Sequence, residues 1–388
     1  VCGITNSGLQ GIFTRQRFTA KQVPSLSQSL DSRGGNLTTL PKAMRGVQLI
    51  GHGGYDMLAI RSDINLPKPG RQEVLIRVSA AAVNNTDINT RIGWYSKNEG
   101  SSDDAGWGGS ALQLPRIQGA DVCGEIVAVG TGVDSSRIGE RVIVEPSMHE
   151  AAGKPLESPW YLGSECDGGF ADYTKVASRY AHRVDSDMSD IELASFPCSY
   201  STAENLLTRA SVGPEDTVLV TGASGGVGSA AVQLAKARGA TVIAQTQSAK
   251  AEQLIAIGAD RCVDRGADLL ETLGQNSVTV VIDLVAGSTF PQLLEVLKPR
   301  GRYAVSGAIG GPIVELDVRT LYLKDLSFFG GTIIDAEVFP NLVKRIESCE
   351  IKPLVAQTFE LEEIEQAQKS FLKKSHIGKI VLRVKRSQ

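Results

Sequence analysis

From residue 44 onward the apolar positions arrive in short runs rich in Val and Ile, separated by Gly and Pro. Residues 47–50, 73–78, 124–129 and 141–144 read as strands, with turns at 67–70 and 130–132. This half predicts a compact, barrel-like sheet. Around Leu193 the apolar spacing becomes helical, and from Thr217 to about Thr332 strands alternate with helices. Strands are expected at 217–220, 239–244, 261–264, 278–284, 302–306 and 326–329, with a helix at 290–297. Repeated βα units build a parallel sheet with helices on both faces. Helices at 338–346 and 361–372 and a closing strand at 379–384 end the chain, and that strand is expected to rejoin the β-rich half. No internal repeat is visible.

One strand-to-helix junction carries chemistry. Thr217-Val-Leu-Val-Thr-Gly-Ala-Ser-Gly-Gly-Val-Gly-Ser229 places a β-branched run, a glycine turn and an apolar-periodic helix in sequence, and a second strand follows. This is the build of a dinucleotide site: glycines permit the tight turn, bring backbone N–H groups to a pyrophosphate and let the helix pack on the sheet. The helix N-terminus adds partial positive charge. Gly222, Ala223, Ser224, Gly225, Gly226 and Val227 are therefore the expected cofactor cradle. A plain NAD site would carry an acid about twenty residues further on. Here stand Gln245, Thr246, Gln247 and Ser248, then Lys250, with Arg265 after the next strand. Hydroxyls and cations suit a ribose 2′-phosphate, so Thr246, Ser248, Lys250 and Arg265 favour NADPH over NADH. The competing reading makes Lys250 and Arg265 solvated surface charges.

Bulk properties narrow the class. A chain of 388 residues suggests two domains, and a net charge of −3 gives no footprint for nucleic acid. No apolar run reaches bilayer length. Six cysteines without paired metal spacing resemble the reduced thiols of an intracellular, cytoplasmic protein. Residues 1–40 are rich in Ser, Thr, Gln and Gly, and Asp31 is their lone acid. They read as a disordered tail or as a mitochondrial transit peptide.

With these pieces in order the chain resembles the medium-chain dehydrogenase/reductase superfamily, and within it the zinc-free quinone oxidoreductase-like branch. The resemblance spans about 44–384. It rests on Ala82-Val-Asn-Asn-Thr-Asp87, Gln118-Gly-Ala-Asp-Val-Cys-Gly-Glu-Ile-Val-Ala-Val-Gly130, Asp167-Gly-Gly-Phe-Ala-Asp-Tyr173, Ser201-Thr-Ala203, the glycine loop and Gly378-Lys-Ile-Val-Leu382. It implies an α/β protein in which 41–198 and 338–388 form a GroES-like catalytic domain. Residues 199–337 would form a Rossmann domain, with the active site in the cleft between the two. It also implies a homodimer, with residues 326–331 as an edge strand that continues one Rossmann sheet into another.

Zinc relatives hold the catalytic ion through Cys, His and Cys. Those positions fall here on Asn84, Ala120 and Cys198, and the structural four-cysteine lobe is reduced to Cys166. No metal is expected, although an improvised site of Cys198 with Asp121 or Glu165 stays open beside the reading of Cys198 as a packing residue. The same resemblance implies that Thr86 relays a proton, that Asn84 faces the nicotinamide and orients the substrate oxygen, and that Tyr95 lines the cleft and donates to a carbonyl. Thr202 would support the nicotinamide ring, with Ser306 and Gly307 near its amide. Thr86 bonding its own backbone and Tyr95 packing on Trp94 are the structural alternatives. Asn89 stands where many relatives carry a tyrosine. His52, His149 and His182 read as surface or core residues.

Without a Lewis acid, simple ketones are poor acceptors, whereas an enone or quinone spreads the incoming charge and needs only hydrogen bonds. The expected activity is hydride transfer from NADPH to such a small molecule, followed by protonation. Its rivals are an alcohol or aldehyde dehydrogenase with an atypical metal at Cys198, and a non-catalytic NADPH-binding protein. The insert at 94–107 and the segment 148–166 would border the cleft and set substrate choice.

Overall fold

The computed structural model describes residues 40–97 and 104–384. The expected N-terminal extension, save Leu40, and the middle of the 94–107 insert lie outside the described residues. The β-rich half runs β1 (Ala43–Leu49), β2 (Leu58–Asn65), β3 (Glu73–Val83), α1 (Asn85–Ile92), β4 (Arg116–Ile117), β5 (Asp121–Val129) and β6 (Arg141–Val144). A hairpin of β7 (Ser147–Ala151) and β8 (Lys154–Tyr161) follows, then β9 (Tyr173–Ala177) and β10 (Ala181–Arg183). Helices α2 (Asp190–Leu193) and α3 (Pro197–Arg209) lead into β11 (Thr217–Val220), α4 (Gly226–Ala237), β12 (Thr241–Thr246), α5 (Ala251–Ala256), β13 (Arg261–Asp264) and α6 (Leu269–Leu273). The series continues with β14 (Val278–Asp283), α7 (Phe290–Val296), β15 (Leu297–Val305), α8 (Val318–Leu323) and β16 (Ser327–Gly330). Last come α9 (Val338–Glu347), β17 (Val355–Glu360), α10 (Ile364–Leu372) and β18 (Lys379–Arg383).

Strands β11 to β16 form one parallel sheet in the order β13-β12-β11-β14-β15-β16. Counted from β11 this is the doubly wound order 3-2-1-4-5-6, whose direction reverses between β11 and β14. Ligands bind outside the carboxyl ends of the strands at such a point, and the glycine loop leaves β11 there. Val218, Leu219 and Val220 are fully buried, because a parallel strand covered by helices on both faces has no wet side.

The second large sheet runs β10-β6-β5-β3-β18-β17, with β9 also paired to β3. The closing strand does rejoin the β-rich half: Ile380 to Arg383 pair antiparallel with Val83 to Ala80. Strand β3 extends past its predicted end through Ser79-Ala-Ala-Ala-Val83, a stretch whose small residues hide the alternation of a strand. Ala80 and Ala82 belong to the buried cluster that also holds Phe196 and Tyr200 of the α3 region, and Ala81 and Val83 belong to the barrel core. Small side chains are needed where a helix lies close on the sheet. Among the described residues no helix is long and apolar enough to cross a membrane.

Candidate active site

The glycine loop has the geometry its sequence requires. Gly222 sits at φ +57°, and a Cβ on Gly228 would lie 2.3 Å from the Gly222 carbonyl oxygen. Only glycine lets α4 start this close under the turn. Gly225 is the N-cap and offers no side-chain cap, so the first-turn N–H groups of α4 are left for an anion. The Ala223 N–H donates to the Gln245 carbonyl at 3.1 Å and ties the loop to β12. The residues present therefore fit a dinucleotide pyrophosphate. Beside the loop, buried Asp283 accepts from the Thr221 and Tyr303 hydroxyls, each at 2.6 Å, and from the N–H groups of Val285 and Ala286. It pins the loop after β14 at the sheet's switch point. Ser306 and Gly307 follow β15, and the Ser306 N–H donates to the Asp283 carbonyl.

At the far end of the loop the structure gathers Thr246, Ser248, Lys250 and Arg265. Thr246 Oγ1 is buried without a hydrogen-bond partner. Lys250 Nζ reaches Ser224 Oγ at 3.4 Å but donates more closely to the carbonyls of Lys374 and His376, at 2.6 and 3.0 Å. Burial and the nearby Arg265 lower its pKa. Lys374 stands in the same cluster, pushed down to about 8 by burial and by Lys379 and Lys250. A carboxylate that linear spacing did not reveal also enters: Asp264, from the end of β13, accepts from the Ser248 hydroxyl at 2.6 Å. The Ser248 hydroxyl is thus engaged within the protein rather than held free for a phosphate.

The catalytic candidates surround a buried ion pair. Lys379 Nζ lies 2.8 Å from Asp121 Oδ2, with both side chains almost wholly enclosed. Lys379 also donates to Asn84 Oδ1 and to Ser199 Oγ. Asp121 accepts from Asn84 Nδ2 at 2.8 Å and from the Cys198 N–H at 2.5 Å, which places a negative charge at the N-terminus of α3. A Cβ on Gly226 would meet Ser199 Oγ at 2.6 Å and Lys379 Cδ at 3.0 Å, so this network abuts the glycine loop. Asn84, expected to orient a substrate oxygen, is here 6% exposed with its amide committed to Lys379 and Asp121.

Next along the chain, Asp87 accepts from the N–H groups of Asn84 and Gly119, and burial raises its pKa to about 7. Tyr95 donates to Thr86 Oγ1 at 3.1 Å, and its edge also packs on Trp94. Burial raises the Tyr95 phenol above its ordinary range. Thr202 lies one turn along α3 from Cys198 and donates to its carbonyl at 2.7 Å. Cys198 itself packs with Ala120, Tyr161 and Trp107. Its thiol stands 3.0 Å from the Tyr161 hydroxyl, and burial, with Asp121, pushes its pKa up to about 12.

A model of the alcohol dehydrogenase GroES-like domain matches residues 70–186, and one of the zinc-binding dehydrogenase domain matches 226–348. Acryloyl-coenzyme A reductase from Metallosphaera sedula is 31% identical over 350 residues, covering 87% of this chain and 99% of its own. The chain belongs to the medium-chain dehydrogenase/reductase superfamily. Human quinone oxidoreductase is 27% identical over 360 residues, covering 89% of this chain and 99% of its own. A crystal structure from Sinorhizobium meliloti 1021 with a provisional alcohol dehydrogenase name superposes with a TM-score of 0.81 at 43% identity, covering 89% of this chain and 97% of that one. As a member of this superfamily the protein is an oxidoreductase that binds a nicotinamide cofactor.

The zinc that many dehydrogenases of this superfamily carry does not suit the donors here. Ala120 presents a methyl group, Asn84 is bound on both sides of its amide, and Cys198 is held as a thiol against Tyr161. Glu165, the other improvised donor, accepts the backbone N–H groups of Gly108 and Tyr161. Among the described residues no group of three His, Cys, Asp or Glu could hold a metal.

Sequence spacing assigns no role to Lys379, Asp87, Asp283, Trp107 or Tyr161. A lysine inside the apolar run Lys379-Ile-Val-Leu382 was a usable signal, since a buried cation demands a partner. Tyr161 gave none, because β8 is largely exposed and shows no period.

Proposed function

We propose that the protein is an NADPH-dependent, zinc-independent reductase that transfers hydride to a quinone, an enone or another activated C=C or C=O group. Residues 41–198 with 338–388 would hold the acceptor, and 199–337 the cofactor. The observation that carries this reading is the chemistry at the three zinc-ligand positions: Asn84 bound by Lys379 and Asp121, the methyl of Ala120 and Cys198 against the Tyr161 hydroxyl suit hydrogen bonding and not a metal, and the Lys379 network they join abuts the glycine loop. Lys250, which reaches Ser224, and Arg265 beside it support the 2′-phosphorylated cofactor, although Asp264 opposes them in part.

When bound, the reduced nicotinamide supplies hydride. The first turn of α4 would hold the phosphates, and Thr202, Ser306 and Gly307 would support the nicotinamide end. Asn84 acts by keeping the Asp121–Lys379 pair in place beside the glycine loop. Tyr95 and Thr86, already hydrogen-bonded, carry a proton from solvent to the reduced acceptor.

The partner is a second copy of the chain. Strand β16 is an open edge of the parallel sheet, and Ile313, Val318, Tyr322, Leu323 and Phe328 expose apolar surface on it and on the segment before it. An open edge with an apolar rim pairs with a like edge.

Stopped-flow NADPH oxidation against quinones, enones, enoyl thioesters and aldehydes, with metal content measured on the same sample, tests the reading. Turnover of quinones or enones by metal-free protein supports it. Inertness toward all acceptors despite NADPH binding, or activity that tracks stoichiometric zinc and is lost in Cys198→Ser, overturns it.

A further inference from the structure

Residues of two segments, the insert at 94–107 and the segment 148–166, converge on the place where the resemblance would set a metal. Trp107 comes from the insert after α1, and Tyr161 ends β8 of the exposed hairpin. Their rings stack with centroids 4.7 Å apart and planes 26° apart. One carboxylate joins the two segments: Glu165 accepts the Gly108 N–H at 2.8 Å and the Tyr161 N–H at 2.9 Å, while the Trp107 N–H donates to Ser164 Oγ at 3.1 Å. Beneath the stack lie Ala120 and Cys198, with the Tyr161 hydroxyl 3.0 Å from the Cys198 sulfur. The backbone of Cys198 is held by Asp121, and its helix carries Thr202 one turn further. A hydroxyl on an aromatic support thus stands beside two of the zinc-ligand positions, Ala120 and Cys198.

We infer that Tyr161 is the group that hydrogen-bonds the acceptor oxygen, and that the Trp107–Tyr161 stack selects flat, conjugated carbonyl compounds. The inference rests on the reductase reading above. In the step, the β-carbon of the acceptor forms a C–H bond with hydride from the reduced nicotinamide. The C=C π pair shifts to form the enolate, whose oxygen accepts a hydrogen bond from the Tyr161 O–H. No proton leaves Tyr161, whose phenol burial raises far above the ordinary range. The thiol of Cys198 then donates to the Tyr161 oxygen and supports its orientation. The α-carbon takes its proton from solvent, which completes the saturated ketone.

Removing one donor to a developing oxyanion costs about 100-fold in kcat. Tyr161→Phe should therefore lower kcat for 4-phenylbut-3-en-2-one by about that factor while leaving NADPH affinity, read by cofactor fluorescence, unchanged. The loss should be much smaller with 1,4-benzoquinone, whose anion needs less stabilisation. General damage to the site would lower both alike. Trp107→Leu should raise KM for the phenyl enone about 10-fold, with little change for but-3-en-2-one. Without cofactor, the phenyl enone should quench tryptophan fluorescence in the wild type, and Trp107→Phe should abolish that quench. A wild type inert toward every acceptor removes the reductase reading. An active wild type whose Tyr161→Phe variant keeps its enone rate, or loses enone and quinone rates equally, overturns this inference alone, as does quenching that survives in Trp107→Phe.

Discussion

Replacing Lys379 with methionine removes the cation from the most enclosed ion pair of the site while keeping most of the side chain's apolar volume. Lys379 and Asp121 are 2% and 0% exposed, with Nζ 2.8 Å from Oδ2. Removing one partner of a buried pair costs about 3–5 kcal/mol, because the remaining charge loses its compensation. Asp121 would keep two donors, Asn84 Nδ2 and the Cys198 N–H, which sets its cost near the lower end, about 3 kcal/mol. Asn84 Oδ1 also loses its donor, which adds about 1 kcal/mol. The expected destabilisation is about 4 kcal/mol, measured by urea unfolding at pH 7.5. Coincident transitions by tryptophan fluorescence and far-ultraviolet circular dichroism would license the two-state treatment. The double variant Lys379→Met with Asp121→Asn exchanges the stranded charge for an amide and should recover about 2 kcal/mol. A single variant within about 1 kcal/mol of wild type, or a double variant no more stable than the single, would refute this reasoning.

Asp87 gives a pH test: its folded pKa of about 7 exceeds the ordinary 3.8, so the folded state holds the proton more tightly than the unfolded chain. The resulting stabilisation is complete below the unfolded value and is lost as pH rises toward the folded one. Wild type should therefore lose more thermal stability than Asp87→Asn between pH 5 and 8, and parallel melting curves would contradict the assignment. Lys250→Ala and Arg265→Ala should each weaken NADPH binding about 10-fold and NADH binding little, and Asp264→Asn should strengthen NADPH binding, all read by fluorescence titration. Equal effects on the two cofactors would remove these residues from the 2′-phosphate site. Leu323→Glu with Phe328→Glu should convert a dimer to a monomer in size-exclusion chromatography with light scattering, since Phe328 on β16 and Leu323 on the preceding α8 both expose apolar surface. An unchanged mass would place the contact elsewhere.

The sequence by itself determined the features that depend on residues a few positions apart. The strand, glycine turn and helix from Thr217 to Ala237 are a local device, because backbone freedom at Gly222 and close packing at Gly228 follow from the missing Cβ alone. The parallel sheet followed from alternating periods, and the departures at Asn84 and Ala120 were visible as single letters. The tertiary structure alone decided who meets whom. Lys379 lies 258 residues from Asp121 in sequence, and only the pairing of β18 with β3 brings its ammonium beneath the glycine loop. Asp264 reaches Ser248 because β12 and β13 run parallel side by side. Tyr161 meets Cys198 and Trp107 because Glu165 joins two irregular segments whose residues carry no period. Hydrophobic spacing encodes which face of an element is buried. The chemistry of this site depends on polar groups that distant elements carry to one point, and local spacing holds no record of that.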